Sequence, residues 1–171
     1  PRRAADSLRS PLTPDVRPSE HMNSRLHISL PPGWIPAPDT GSDDPPTFVR
    51  DTSAKPGRLL IHTQAFYRRG SKPNVTPQHL LALATHAAES TSVNIAVSSN
   101  GTCQMGSYAS VTGAATGFPR VQLWALSNGQ DILVISHSCA SQADAAEVLE
   151  AQALISTISV HPEPRPWWRF W

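Results

Sequence analysis

Two Asn-Gly pairs, Asn100-Gly101 and Asn128-Gly129, each stand between apolar-rich runs. They constrain the fold of this chain more than any other feature. A two-residue hairpin turn of type I′ needs positive φ at both central positions, and Asn followed by Gly meets that need with least strain. SVNIAVSS (92–99) alternates through Val93, Ile95 and Val97 before the first pair, and CQMGSYASV (103–111) returns after it. A small-residue link, GAATG, leads to FPRVQLWALS (118–127), and QDILVISHSC (130–139) follows the second pair. Alternation of period two marks half-buried strands, so this region is expected to form a four-stranded antiparallel meander. A two-residue turn at 128–129 pairs Ser127 with Gln130, Trp124 with Leu133 and Arg120 with His137. One face then carries Val121, Leu123, Ala125, Ile132 and Val134, and the other Trp124, Leu126, Leu133 and Ile135. Both faces are apolar toward the turn, which predicts cover on both sides of the sheet.

Two helices are expected to supply that cover. Thr76 is placed to cap the first, with Pro77 at its first position. Leu80, Leu83, Ala84 and Ala87 form one apolar face, ending near Glu89. The second begins at a Ser-x-x-Asp capping box, Ser141 with Asp144, and repeats Val148, Ala151, Ile155 and Ile158 at helical spacing. Ahead of the first helix, SRLHISL (24–30) alternates with Leu26, Ile28 and Leu30 on one side. Pro31-Pro32-Gly33 stops it, leaving Trp34 as a lid over the end of the core. PAPDTGSDDPP (36–46) reads as a solvated turn; its Asp39, Asp43 and Asp44 do not form a calcium loop. TFVRD (47–51) and RLLIHTQAFYRR (58–69) read as strands. The expected order is β-β-β-α-β-β-β-β-α, an α+β domain with helices packed on an antiparallel sheet.

The chain divides into a disordered segment, 1–21, a single domain, 22–160, and a Trp/Arg-rich tail, 161–171. The first has four prolines and almost nothing large to bury. Two readings stand for it: Met22 is the true initiator, or the segment is an ordinary flexible tail. The tail holds Trp167, Trp168, Arg169 and Trp171, a composition suited to the membrane interface. A tail folded onto the domain is the plain alternative. No run of roughly 18 apolar residues spans a bilayer, and a net charge of +1 argues against a dedicated nucleic-acid binder. If Met22 is the initiator the protein is expected in the cytoplasm, with Cys103 and Cys139 reduced. Export of a longer chain stays open, and with it one disulfide.

Catalytic motifs are scarce. No phosphate loop, nucleophile elbow or His-Glu-x-x-His is present, and no cofactor or metal site is expected. His79 and His86 lie two turns apart, poor spacing for one ion, and read as boundary residues. His137 and Cys139 share one strand face, but two strand residues span roughly 6.5–7 Å, too far for a ready hydrogen bond. A histidine hydrogen-bonded at the edge of the core is the preferred reading. Phe66, Tyr67, Arg68, Arg69 and Lys72 place aromatic and cationic groups at a strand end, as interface hot spots do. Arg120 and His137 join them as candidate partner contacts.

The opening strand ending in Leu30-Pro31-Pro32-Gly33-Trp34, and the closing unit Ile132–Cys139 followed by a capped helix, resemble the PsbP-like α/β/α fold. That fold includes a photosystem oxygen-evolving subunit, a Ran-release factor, DcrB-like and LpqN-like bacterial lipoproteins, and chaperone-like adaptors of secretion effectors. The resemblance covers about residues 24–160. It implies a mostly non-enzymatic protein that works by binding another protein, such as a bacterial adaptor, chaperone or immunity protein linked to secretion. The alternatives are a small hydrolase using His137 with a nearby Ser or Cys, and a peripheral membrane protein held by the tail.

Overall fold

The computed structural model describes residues 26–38, 45–51, 57–65, 75–139 and 145–160. In chain order the elements are β1 (Leu26–His27), β2 (Trp34–Pro36), β3 (Thr47–Arg50), β4 (Arg58–Ala65), α1 (Pro77–Ser90), β5 (Asn94–Cys103), β6 (Gly106–Ala115), β7 (Phe118–Ser127), β8 (Ile132–Cys139), α2 (Ala145–Thr157) and β9 (Ser159–Val160). Seven strands form one antiparallel sheet in the order β2-β3-β4-β8-β7-β6-β5. The expected meander is therefore present as β5 to β8. The expected opening strand is shorter and lies elsewhere: β1 pairs with β9 in a separate two-stranded ribbon. Its inward side is as anticipated, with Leu26, Ile28 and Leu30 packed against the core.

The sheet separates two apolar clusters. On one face α1 presses Leu80, Ala84 and Ala88 onto Val111, Val121, Leu123, Ala125 and Val134. On the other, α2 presses Ala151, Leu154 and Ile155 onto Trp124, Leu126, Leu133, Ile135, Leu59 and Ile61. The result is a three-layer α/β/α sandwich. Thr76 caps α1: its Oγ1 accepts from His79 N–H at 3.3 Å, and His79 Nδ1 accepts from Thr76 N–H at 3.3 Å. A histidine thus takes the place usually held by Glu or Gln in a capping box, which gives the exposed His79 a structural task. The Ser141/Asp144 box lies outside the described residues.

Both hairpin registers differ from the Asn-Gly expectation. Ser127 pairs with Ile132, Trp124 with Ile135 and Arg120 with Cys139. The connection is four residues, 128–131, rather than two. The Asn128 side chain closes it, with Oδ1 accepting from Gln130 N–H at 2.8 Å and from Asp131 N–H at 2.6 Å. Its Nδ2 donates to Asp131 Oδ2 at 3.0 Å. An Asx-type turn of this kind competes with the type I′ geometry. The pairing moves by two residues, so every side chain keeps its face, and the two predicted face sets match the two clusters except at Ile132, which lies in neither. Asn100-Gly101 is not a turn at all. Both residues lie within β5, opposite Ala109 and Tyr108, and the chain reverses at Gln104-Met105. Gly101 leaves room there for the Tyr108 ring, which a Cβ would meet at 2.9 Å. Met105 is buried in the α2-side cluster and so anchors the true turn.

Candidate functional sites: a buried histidine–glutamate–cysteine group and a bare sheet edge

At the far end of β8, His137 and Cys139 point to the α2 face, as strand alternation requires. Glu147 reaches them from the first turns of α2. It lies on the helix's inner face because positions 147, 151, 154 and 155 fall at the 4, 7 and 8 spacing of one apolar stripe. All three side chains are buried, His137 at 1%, Cys139 at 2% and Glu147 at 3% exposure. His137 Nε2 meets Glu147 Oε1 at 3.0 Å. An ionised carboxylate only accepts, so the imidazole donates from Nε2. Gly57 N–H donates to the same oxygen at 2.8 Å. Cys139 Sγ lies 3.8 Å from Glu147 Oε1, 3.8 Å from His137 Nε2 and 4.0 Å from Nδ1. Strand rise therefore understates how near His137 and Cys139 come, because their side chains lean together. The Trp34 ring closes the group, its centroid 6.0 Å from that of His137 and tilted by 53°.

Burial governs the ionisation here. It lowers His137 below its ordinary 6.5, outweighing the hydrogen bond and charge of Glu147, which act the other way. It pushes the Cys139 thiol up to about 11, and the charge of Glu147 adds to the effect. A nucleophilic cysteine needs the reverse, a lowered pKa beside a cation. His137 is hydrogen-bonded, as the preferred reading has it, but lies in the interior rather than at the edge of the core, and Glu147 is the partner the sequence reading missed.

These shifts predict a pH profile of stability. The unfolded chain takes up a proton at His137 near 6.5 that the folded chain accepts only at lower pH. Stability is complete above pH 6.5 and falls as pH drops through it. His62 on β4, lowered for the same reason, adds to this limb. At Cys139 the unfolded chain loses its proton near 9.0 and the folded chain near 11. Stability is therefore lost as pH rises between those values. Urea midpoints measured across pH should peak between 6.5 and 9.0, and Cys139→Ser should flatten the alkaline limb. A profile still rising beyond pH 9.0 contradicts the assignment.

The cysteines cannot bridge each other in this fold. Cys103 lies level with the start of β8 and Cys139 at its end. Seven residues of strand separate those levels by roughly 23 Å at the usual rise per residue, against the ~7 Å Cα limit of a disulfide.

The second site is the edge of the sheet. β5 has ten residues, no charge and no proline, and Asn94–Asn100 are exposed throughout. Ile95 and Val97 stand out at 40% and 62% exposure. The opposite edge, β2, has three residues and ends in Pro36.

Of the residues singled out in the sequence, Phe66, Tyr67, Arg68, Arg69 and Lys72 lie outside the described residues, as do Trp167, Trp168, Arg169 and Trp171. His137 is inside the domain. Arg120 is half-buried opposite Cys139, and its Nη2 approaches Gln122 Oε1 at 3.5 Å. Among the described residues no helix is long and apolar enough to cross a membrane.

No protein-family profile and no curated protein sequence matches the chain. Solved structures do. LpqN of Mycobacterium tuberculosis, a protein involved in cell envelope biogenesis, aligns with a TM-score of 0.58 at 15% identity, over 83% of this chain and 88% of that one. The cyanobacterial PsbP of Synechocystis sp. PCC 6803, CyanoP, aligns at 0.53 and 10% identity, over 82% and 89%. The fold is PsbP-like, as the opening and closing motifs imply.

Proposed function

We propose that this protein is a non-catalytic protein-binding module that receives an extended segment of its partner along β5. The observation that carries this reading is that, among the described residues, no further strand pairs with β5. Natural sheets protect long edges with charge, proline, bulges or cover, because unpaired N–H and C=O groups template a further strand. β5 carries neither charge nor proline over ten residues, and its one irregularity is a register shift between Ile95 and Val97. Strand addition draws affinity from main-chain hydrogen bonds and specificity from alternate side chains, here Ile95 on one face and Val97 on the other. The high thiol pKa and burial of Cys139 weigh against a hydrolase built on His137. The shared fold with LpqN, a protein involved in cell envelope biogenesis, is compatible with a bacterial adaptor or immunity protein linked to secretion.

Val97→Lys places a charge on the edge without touching either core. Wild type should retain a stoichiometric partner from host lysate, and the variant should lose it at unchanged stability. In the complex the β5 amides should gain hydrogen-exchange protection. A partner held equally by the variant, with β5 exchanging as before, rejects the edge as the docking site.

A further inference from the structure

We infer that His137, Cys139 and Glu147 form a binding site for one thiophilic divalent metal ion, of which zinc is the best match. The three donor atoms are separated by 3.0, 3.8 and 3.8 Å. The circle through atoms so spaced has a radius of about 2.1 Å, which falls among zinc bond lengths of roughly 2.0–2.1 Å to nitrogen, 2.0–2.2 Å to oxygen and 2.3 Å to sulfur. An ion near its centre reaches all three donors with only small side-chain movement.

Gly57 shows that the convergence is built into the fold. A Cβ on Gly57 would collide with Glu147 Oε1, His137 Nε2 and Cys139 Sγ together. The three donor atoms therefore converge against the Gly57 backbone, and any larger residue at 57 would push them apart. The Gly57 N–H also donates to the carboxylate and helps to orient it, as outer partners of metal ligands do.

The charges balance. A thiolate, a carboxylate and a neutral imidazole neutralise a dication, which suits a buried site better than an isolated charge. Binding releases the thiol proton of Cys139. On His137 the proton moves from Nε2 to Nδ1, leaving Nε2 to ligate. Burial already holds that ring neutral. Arg120 stands opposite Cys139 on β7, its Nε buried and without a hydrogen-bond partner. One sulfur, one nitrogen and one oxygen donor suit zinc. Because β8 and α2 both contribute, the ion would clasp the helix to the sheet.

The test uses the full chain, unfolded in urea and refolded with cobalt(II), since the site is closed to solvent. Wild type and Cys103→Ser should each retain one cobalt per chain with a thiolate-to-cobalt charge-transfer band. Cys139→Ser should lose the band. With zinc(II), X-ray absorption on Cys103→Ser should show one sulfur among otherwise light scatterers, a readout that does not depend on Cys139→Ser refolding. No retained ion, a band surviving in Cys139→Ser, or a sulfur-free zinc shell overturns the assignment.

Discussion

Glu147→Ala is expected to lower unfolding stability by about 2–4 kcal/mol, since two buried donors left without a partner cost about 1–3 kcal/mol each and some relaxation recovers part. The donors are Gly57 N–H and His137 Nε2–H, both now satisfied by one carboxylate oxygen. No other partner within the group can take over. Cys139 offers only a sulfur 3.8 Å from Nε2, a weak acceptor at long range. The variant should also carry its own pH signature. Glu147 raises the His137 pKa against the effect of burial. Without it the folded pKa falls further, and the loss of stability below pH 6.5 grows. Glu147→Gln keeps an oxygen for Gly57 and should cost about 1 kcal/mol. Urea unfolding at two pH values, one above and one below 6.5, reads both effects. An Ala variant as stable as the parent would show that the carboxylate is not holding the network.

Trp34→Ala should cost about 3–5 kcal/mol, the usual range for emptying a buried Trp site. Trp34 is 4% exposed at the start of β2 and belongs to the α2-side cluster. Its Nε1–H donates to Glu150 Oε2 at 2.9 Å, and Arg50 holds the other oxygen of that carboxylate at 3.0 Å. The indole thus joins the sheet edge to α2 and covers His137. Trp34→Phe separates the parts. It keeps most of the packing and removes one hydrogen bond from a carboxylate still paired with Arg50, so a loss of about 1–2 kcal/mol is expected. Equal losses in the two variants would assign the stabilisation to the hydrogen bond rather than the ring.

The faces of this fold were legible in the sequence, and its turns were not. Alternation along β7 and β8 gave the two face sets because side-chain direction has a period of two and survives an even slip. Turn chemistry was less specific. Asn128 bonds the backbone ahead of it, which lengthens the connection, and Gly101 is small because Tyr108 lies across it. Both are tertiary or side-chain effects that a dipeptide rule omits. Trp34 as a cover for the core was readable from the Pro-Pro-Gly stop before it. Of the buried group, only the shared face of His137 and Cys139 was visible. Glu147 had a signal, an acidic residue four, seven and eight positions before Ala151, Leu154 and Ile155. A charge in the phase of an apolar stripe is a buried charge with a partner, and that partner cannot be found by spacing along one strand.

The small ribbon of β1 and β9 sets Leu26 beside Val160. The described domain is thus nearly a closed ring of chain, its two outer boundaries meeting at one point. Such a ring can be reconnected. A short flexible linker from Val160 to Leu26, with new ends opened at the exposed Thr116-Gly117 reversal between β6 and β7, rearranges the order of the elements while leaving every sheet neighbour in place. Anything fused to either boundary would leave the domain from the same corner, so two attached bodies would be held close to each other by the ribbon rather than at opposite poles.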